Sequence, residues 1–294
     1  MKILLTGGMD GQVGWEIIRL AKSTSHQLIP LTRDQLDITH EESIHKAIEH
    51  HSPDIVINAA AYTAVDKAEE DHEIAYKVNR DGTLFLAQAC NKHGIPLLHI
   101  STDYVFDGEK STPYEVDDAP APQSVYGLSK WEGEEYLRNE LSQHIILRTS
   151  WVFGRHGNNF VKTILRIGSD RDELKVVADQ QGAPTSAHSI AACLLELCDR
   201  YEQDKNLPWG TYHFTGSPES TWFEFAQSIF SEGKKLGLLD HDVKVLPINT
   251  EDYPTLAKRP ANSRLSMQLT KSRLKVETPN WKNDLVEVLQ YLKG

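Results

Sequence analysis

The amino-acid sequence predicts an α/β fold: a doubly wound parallel sheet followed by a smaller C-terminal domain. Two observations support this. Short apolar runs alternate with helical segments through the first half of the chain, and the alternation loosens after Arg148. Apolar strands without polar alternation are typical of a parallel sheet covered on both faces. The 294 residues accommodate two domains, which we expect over 1–150 and 151–294, with some later elements returning to the first.

Five apolar runs are expected to form strands, and the segments between them helices. The predicted strands lie at 3–5, 28–31, 54–58, 97–100 and 145–147, and the intervening helices at 12–22, 41–50, 74–91 and 126–139. Further on, we expect loops at 154–159 and 179–184, and helices at 189–200, 222–236 and 281–292. In the order βαβαβαβαβ, ligands bind at the carboxyl ends of the strands.

The composition excludes several classes of partner. Lys and Arg number 31 against 42 Asp and Glu, a net charge of −11, so the basic surface that binds nucleic acid is not expected. No apolar run approaches the roughly 18 residues that span a membrane, and the first apolar run reaches Gly7 too soon for a signal peptide. Three cysteines are too few for a disulfide framework. We expect a soluble cytoplasmic protein without membrane or nucleic-acid partners.

A glycine-rich turn lies between the first strand and the first helix. Gly8, Gly11 and Gly14 have the spacing G-x-x-G-x-x-G. Glycine allows a tight turn and a close backbone approach to a pyrophosphate, which then lies at the helix N-terminus. An ordinary glycine-rich turn is the alternative, but the strand–turn–helix context favours a Rossmann-type dinucleotide site.

The end of the second strand distinguishes between two cofactors. An acidic residue there binds the ribose 2′-hydroxyl of NAD, whereas an arginine accommodates the 2′-phosphate of NADP. Arg33 follows the strand and favours NADPH, while the adjacent Asp34 keeps NADH possible. A solvated charge pair without a ligand is the alternative interpretation.

Tyr126 and Lys130 are four residues apart, and on a helix this spacing brings them to one face. An ammonium near a phenol lowers the phenol's pKa, and such a tyrosine can protonate a carbonyl oxygen as hydride arrives. The spacing alone is weak evidence, because Tyr201 and Lys205 repeat it in a polar stretch. The first pair is distinguished by Thr102, a hydroxyl at the carboxyl end of the fourth strand, where it could bind the same carbonyl.

These motifs together resemble the extended short-chain dehydrogenase/reductase family. The resemblance runs from residue 11 to residue 265. It is carried by the stretches Gly-Gln-Val-Gly-Trp-Glu at 11–16, Asn-Ala-Ala-Ala-Tyr-Thr-Ala-Val-Asp-Lys-Ala-Glu at 58–69, Ser-Thr-Asp-Tyr-Val-Phe at 101–106, Val-Tyr-Gly-Leu-Ser-Lys at 125–130, Arg-Thr-Ser-Trp-Val at 148–152, Gly-Asn-Asn-Phe at 157–160, Asp-Gln-Gln-Gly-Ala-Pro-Thr at 179–185 and Arg-Pro-Ala-Asn-Ser-Arg-Leu at 259–265.

The resemblance implies roles for individual residues. Thr102, Tyr126 and Lys130 would form the catalytic group, with Lys130 also holding the nicotinamide ribose. With the glycine spacing and Arg33, it implies cofactor contacts by Gly8, Gly11, Gln12, Val13, Asp37, Ile38, Ala61, Tyr62 and Thr63. It implies substrate contacts by Thr102, Asp103, Trp151, Asn158 and Arg259, with Arg148, Arg259 and Arg264 as candidates for positive charge in the pocket.

The activity implied by the resemblance is NADPH-dependent reduction of a 4-keto nucleotide sugar. The first domain would bind the cofactor, and the second would mainly bind the substrate. Two alternatives remain: a nucleotide-sugar epimerase or dehydratase with tightly retained NAD, and a non-catalytic NADP-binding regulatory subunit. An intact Thr102, Tyr126 and Lys130 argue against the subunit, because binding alone needs no proton donor.

No metal is expected. The 13 histidines show no zinc spacing: His40 and His45 are five apart rather than four. Some family members are dimers bridged by magnesium through three glutamates; Glu16 matches the first, but His188 and Tyr291 stand at the other two. These are poor magnesium ligands. We therefore expect Glu16 to be an ordinary surface charge and the protein to be a monomer or a metal-independent homodimer.

Overall fold

The computed structural model describes residues 1–9 and 11–294, and within them a six-stranded parallel sheet forms the centre. In chain order the strands are β1 (Lys2–Thr6), β2 (Gln27–Leu31), β3 (Ile55–Asn58), β4 (Leu97–Thr102), β5 (His144–Thr149), β6 (Val152–Phe153), β7 (Glu173–Val177), β8 (Gln181–Gly182), β9 (Thr185–Ser186), β10 (Gly210–His213), β11 (Ser220–Thr221) and β12 (Lys244–Ile248). The sheet order is β10-β5-β4-β3-β1-β2. The chain thus starts next to the edge strand β2 and continues from β1 in both directions, which confirms the predicted doubly wound sheet.

The helices follow the predicted alternation. They are α1 (Gln12–Ala21), α2 (Glu41–His51), α3 (Val65–Ala68), α4 (His72–Tyr76), α5 (Gly82–His93), α6 (Val125–Glu140), α7 (Phe160–Gly168), α8 (Ala187–Asp204), α9 (Trp222–Lys235) and α10 (Trp281–Lys293). The helix predicted at 74–91 is instead two helices, α4 and α5, joined by a π-helical turn at Lys77–Asp81. In the described part of the chain, no helix is long and apolar enough to cross a bilayer.

Neighbouring residues of the strands face two different cores. Ile3 and Leu5 of β1 pack with α1 and α8 on one face, whereas Leu4 packs with α2, α5 and α6 on the other. All three side chains are fully buried. Burying each contributes roughly 1.5–3 kcal/mol, and burial on both faces explains why the strand sequences lack polar alternation.

The region after residue 150 has its own core, but it is not separate from the sheet. Phe153, Phe225 and Trp281 are buried together between α7, α9 and α10, beside the paired strands β7 and β12. Helix α8, however, packs against α1, and β10 pairs with β5 as the sixth strand of the main sheet. Elements from both sides of residue 150 therefore build the layer that carries the site.

Candidate active site

The candidate site lies at the carboxyl edge of the sheet, where the loops after β1, β2, β3, β4 and β5 meet. In a parallel sheet all these ends lie on one side. The glycine-rich turn follows β1, Arg33 follows β2, and Thr102 ends β4. The fold therefore brings the residues predicted from separate motifs to one edge.

The glycine-rich turn is packed so closely that side chains do not fit in it. A Cβ on Gly14 would lie 2.5 Å from the Gly7 carbonyl oxygen and 2.7 Å from the Gly8 Cα. Gly7 itself has a φ of 66°, in the left-handed region. Gly11 begins α1 without a capping side chain, which leaves the first-turn N–H groups directed at the edge of the sheet. These features fit a pyrophosphate; Asp10, in the same turn, lies outside the described residues.

Gln12 and Val13 start α1 in different surroundings. The side chain of Val13 is buried in the core. Gln12 reaches across the turn, and its Oε1 accepts a hydrogen bond of 3.0 Å from Asn159 Nδ2. The turn is thereby connected to the segment that precedes α7.

The loop after β2 carries the residues predicted to distinguish the cofactors. The Arg33 side chain is 71% exposed, and its Nε lies 3.6 Å from Asp37 Oδ2. Asp37 accepts hydrogen bonds from Thr39 N (2.9 Å) and Oγ1 (2.8 Å). Burial works to raise the pKa of Asp37, but these bonds outweigh it and lower the pKa. Ile38 is buried and packs close to Gly82, so the loop is fixed while Arg33 is free to meet a ligand.

The segment Ala61–Thr63 after β3 is held by one amide. Tyr62 N–H donates to Asn79 Oδ1 (2.9 Å), and Asn79 Nδ2 donates to the Tyr62 carbonyl (3.1 Å) and to Ser129 Oγ (3.0 Å). Ser129 belongs to α6. Asn79 therefore fixes this half-exposed segment relative to the helix that carries Tyr126.

Thr102 and Tyr126 are both buried at the end of β4. Thr102 Oγ1 donates to Asp103 Oδ1 (2.9 Å) and accepts from Tyr104 N (3.2 Å). The ring of Tyr126 packs edge-on against Tyr104, with centroids 5.5 Å apart. The two residues predicted to contact a carbonyl are therefore neighbours in the fold.

The pKa of Tyr126 differs from the expectation. Burial raises it, and the nearby Thr102 hydroxyl opposes this only in part. Lys130 was expected to lower it, but Lys130 Nζ donates to the Ile100 carbonyl (2.7 Å) and lies 3.2 Å from His99 Nε2. In this structure the lysine therefore faces the strand behind the site, and its own pKa falls to about 8 through burial.

Asp103 and Trp151, both predicted to contact the substrate, follow the ends of β4 and β5. Burial raises the pKa of Asp103 to about 6, and its buried Oδ2 has no hydrogen-bond partner in the described chain. Trp151 has a φ of 48° and stacks on Trp222 at 3.7 Å, with Gly182 beneath it. Asp103 directly follows Thr102, and Trp151 lies two residues after Thr149, the partner of Thr102 on β5.

Two of the residues assigned to substrate binding have different surroundings. Asn158 is exposed, and its neighbour Asn159 makes the contact with Gln12 and begins α7. Arg259 donates to the Tyr104 hydroxyl (2.9 Å) and forms an ion pair with Asp66. Arg259 is therefore separated from Tyr126 by the side chain of Tyr104, which contacts both.

Arg148 does not provide positive charge to a ligand, contrary to the expectation. It is almost fully buried, and Glu134 accepts hydrogen bonds from its Nε and Nη2 at 2.7–3.2 Å. Arg264 likewise pairs with Glu219 at 3.1 Å. The sequence identifies the arginines but does not show which carboxylates pair with them in the fold.

Several polar residues near the site were not singled out from the sequence. Asn58, His99 and Glu134 are fully buried. The sequence contained a signal for two of them, because Asn58 and His99 interrupt strands that are otherwise apolar. A polar side chain buried in a strand almost always has a hydrogen-bond partner, so such residues indicate a buried polar network. Their partners come from distant parts of the chain and could not be read from it.

Glu16 is buried rather than an ordinary surface charge. Arg19 Nε lies 2.8 Å from its carboxylate, His188 Nδ1 3.6 Å and Arg155 Nε 3.7 Å. Tyr291 is exposed nearby, under Arg155. Two guanidinium groups beside the carboxylate repel a divalent cation, so these residues do not fit a magnesium ion.

Elsewhere in the described chain, one group has metal-compatible geometry: His26, Asp199 and Glu202. The N-terminal ammonium already binds this Glu202 at 2.6 Å.

The similarity to known proteins extends over the whole chain. The chain matches the family described as "RmlD substrate binding domain" over residues 1–293. It is 42% identical to dTDP-4-dehydrorhamnose reductase of Aggregatibacter actinomycetemcomitans over 99% of both chains, and 38% identical to that of Escherichia coli K12 over 99% and 98%.

Solved structures of similar proteins have the same fold over the whole chain. The dTDP-4-dehydrorhamnose reductase of Clostridium acetobutylicum superposes with a TM-score of 0.92 at 41% identity and covers 100% of both chains. The enzyme of Bacillus anthracis, in complex with NADP, gives 0.89 at 34% identity over 100% and 99%. A Thermotoga maritima UDP-glucose 4-epimerase gives 0.81 at 18% identity over 100% and 99%, a likeness of fold alone.

Proposed function

This chain belongs to the dTDP-4-dehydrorhamnose reductase family and is an NADP-binding oxidoreductase, and from that premise we propose how its residues act. The proposed reaction is reduction of the C4 keto group of dTDP-4-dehydro-L-rhamnose to give dTDP-L-rhamnose. The observation that carries the proposal is that Thr102 and Tyr126 both contact Tyr104 at the carboxyl edge of the sheet, the same edge that carries the glycine-rich turn.

NADPH supplies the hydride when bound. Tyr126 donates its phenolic proton to the C4 oxygen, and the Thr102 hydroxyl orients that oxygen by a hydrogen bond. The raised pKa of Tyr126 means that the phenol holds its proton at neutral pH, ready for donation. The proton can leave only as negative charge develops on the substrate oxygen, which matches the timing of hydride transfer.

We assign Lys130 two roles, to hold the nicotinamide ribose and to stabilise the tyrosinate left after proton donation. Both need the ammonium form, and both need Nζ to turn from the Ile100 carbonyl toward the site. A negative charge on Tyr126 favours this movement, since opposite charges attract strongly in a buried site. The lysine therefore lowers the pKa of Tyr126 during turnover rather than in the resting chain.

The cofactor contacts follow the order of the loops along the sheet edge. Gly8, Gly11, Gln12 and Val13 would bind the pyrophosphate, with Asp37 and Ile38 at the adenine, and Ala61, Tyr62 and Thr63 along the nicotinamide half. Arg33 would bind the 2′-phosphate, so NADPH is preferred and NADH is the weaker cofactor.

We propose that Asp103, Trp151 and Arg259 bind the nucleotide sugar. Asp103 offers an unpaired carboxyl oxygen to a sugar hydroxyl, Trp151 its indole, and Arg259 a guanidinium for the diphosphate. Arg259 is paired with Asp66 in this structure, but Asp66 is 42% exposed, so the diphosphate would have to compete with a solvated carboxylate and not with a buried one. Asn158, exposed at the rim, would join them when the substrate is bound. We expect a monomer or a homodimer that needs no metal.

The test is to offer dTDP-4-dehydro-L-rhamnose and NADPH and follow the nicotinamide absorbance. A reductase consumes NADPH stoichiometrically, whereas an epimerase or dehydratase recycles its bound cofactor and a regulatory subunit does neither. Tyr126→Phe removes the proton donor, and kcat should fall by about 10²–10⁴-fold. Lys130→Met should lower kcat and also weaken cofactor binding.

The matched control is Tyr201→Phe. Tyr201 is also followed by a lysine at the fourth position, but it lies near the C-terminal end of α8 rather than on α6 beside Thr102. Its turnover should be unchanged. Near wild-type turnover in Tyr126→Phe would show that the proton donor is a different group.

A further inference from the structure

Four buried side chains connect the base of the glycine-rich turn to Lys130. Thr6 Oγ1 donates to Asn58 Oδ1 (2.6 Å), Asn58 Nδ2 lies 3.0 Å from His99 Nδ1, and His99 Nε2 lies 3.2 Å from Lys130 Nζ. Thr6 pairs with Asn58, and Asn58 with His99, across neighbouring strands. Because all four are at most 2% exposed, no solvent competes for these bonds. We refer to them as the buried polar chain.

The orientation of the Asn58 amide follows from its neighbours. The backbone N–H of Ala60 can only donate, and it lies 3.1 Å from the same amide atom that Thr6 contacts. That atom is therefore the oxygen, and the atom facing His99 is the NH₂ group. His99 Nδ1 must then accept a hydrogen bond and carries no proton.

His99 is consequently limited to one tautomer. Burial holds its pKa well below the usual range, and the charge of Lys130 lowers it further, so the imidazole is neutral. A neutral imidazole with a bare Nδ1 carries its proton on Nε2. That N–H points at Lys130 Nζ. If Lys130 is an ammonium, both groups are donors and repel each other. If Lys130 is an amine, its lone pair accepts a hydrogen bond from His99.

We propose that His99, oriented by Asn58, is a positioning residue whose Nε2–H favours the amine form of Lys130 and so sets how readily the lysine gains and loses its proton. The inference rests on the role proposed for Lys130. Among the titratable groups packed around Lys130, Glu134 on α6 favours the ammonium, His144 on β5 is near His99, and His99 is the group in direct contact.

The consequence concerns the pH dependence of the reaction. The proposed roles of Lys130 need the ammonium, which is present below the pKa of the lysine and lost as pH rises through it. Burial lowers the pKa of Lys130 to about 8. By disfavouring the ammonium, His99 acts in the same direction and brings this loss toward neutral pH. The wild-type kcat/KM should therefore decline on an alkaline limb with its midpoint near pH 8.

One test needs no activity at all. Long-range ¹H–¹⁵N NMR of the intact protein distinguishes the two neutral tautomers of a histidine, and loss of one signal in His99→Gln assigns it. We expect His99 to be neutral with its proton on Nε2 from pH 6 to pH 8. A proton on Nδ1, or a protonated ring, would overturn the proposal.

The second test is the pH profile of kcat/KM for His99→Gln. The glutamine amide can turn its oxygen toward Lys130 and accept from the ammonium. We expect the alkaline midpoint to rise by about one pH unit, the size of one charge-assisted hydrogen bond. At pH 9 the variant would then keep about fivefold more of its plateau activity than the wild type. An unchanged or lower midpoint contradicts the proposal, and His99→Asn repeats the test if the glutamine variant does not fold.

His213→Gln is the matched control. His213 is equally buried and lies on β10 of the same sheet, but its ring packs against Phe106. This variant should lose stability like His99→Gln and keep the wild-type midpoint; a shift as large as that of His99→Gln would refute a specific role.

Lys130→Met, measured alongside, separates the two proposals. If it keeps full turnover and cofactor affinity, the role of Lys130 fails; if it loses them while the midpoint of His99→Gln stays fixed, only the role of His99 fails.

Discussion

Glu134→Gln should destabilise the protein far more than a change of one atom suggests. The carboxylate is fully buried in α6, where it binds Arg148, accepts from Ser101 Oγ (2.5 Å) and accepts from Arg138 (3.1 Å). Removing the charge leaves the Arg148 guanidinium buried without its partner, which typically costs 3–5 kcal/mol. The glutamine keeps one oxygen for Arg148, so we expect the lower end, about 3 kcal/mol.

The loss has a defined pH dependence. Burial works to raise the pKa of Glu134, but Arg148 and Arg138 outweigh it and hold the pKa below its usual value. The carboxylate's contribution is therefore fully present above the unfolded-state pKa of about 4.3 and is lost as pH falls through the folded value. The stability difference between wild type and variant should be constant from pH 6 to 8 and narrow below about pH 4.

Equilibrium urea unfolding at several pH values measures this difference directly. Glu135→Gln is the control: Glu135 is half exposed and pairs with Arg138 at 2.5 Å, so its loss should cost less than about 1 kcal/mol. If Glu134→Gln costs no more than Glu135→Gln at pH 7, the buried pair does not hold α6 against the sheet as argued.

Two further variants test the cofactor loop and the face around Glu16. Arg33→Ala should raise the KM for NADPH about tenfold, the low end for a phosphate contact because the side chain is exposed, and leave the KM for NADH nearly unchanged; equal effects in steady-state assays with both cofactors would show that Arg33 does not bind the 2′-phosphate. Glu16→Gln should lower the free energy of unfolding by about 1–2 kcal/mol, since its arginine partners are partly exposed, without changing turnover. Sedimentation of the wild type should give one mass in EDTA and in millimolar magnesium, and a metal-dependent doubling would contradict our assignment of that face.

The strands and long helices of the first half could be predicted from the sequence because each is encoded locally. An apolar run such as 145–147 has no alternative to burial, and it forms the centre of β5. The helix α7 and the pair β7–β12 were not predicted. Residue 173 and residue 244 are 71 positions apart, and strand β7 has only one buried residue, Val176, so its partner rather than its own pattern makes it a strand.

The site divides in the same way. The loops after β1, β2, β3 and β4 were predicted to meet because parallel strands share one carboxyl edge, and they do. What a charged side chain contacts was not predictable. Arg148 and Arg259 look alike in the sequence, yet Arg148 pairs with the fully buried Glu134, whereas Arg259 pairs with the partly exposed Asp66 and also reaches Tyr104. The same limit applies to Lys130, whose contact with His99 depends on a strand register.

The place of β10 in the sheet affects how the protein can be made. The backbone of β5 is paired on both sides, with β4 on one and β10 on the other, and all six of its residues are buried. A nascent chain that has emerged only as far as residue 150 has β5 as a bare edge, with unpaired amides that can recruit another strand. It also lacks α8, so the apolar face of α1 is open to water. The complete cofactor-binding layer therefore forms only after residue 213 has left the ribosome, because the last strand of its sheet ends there.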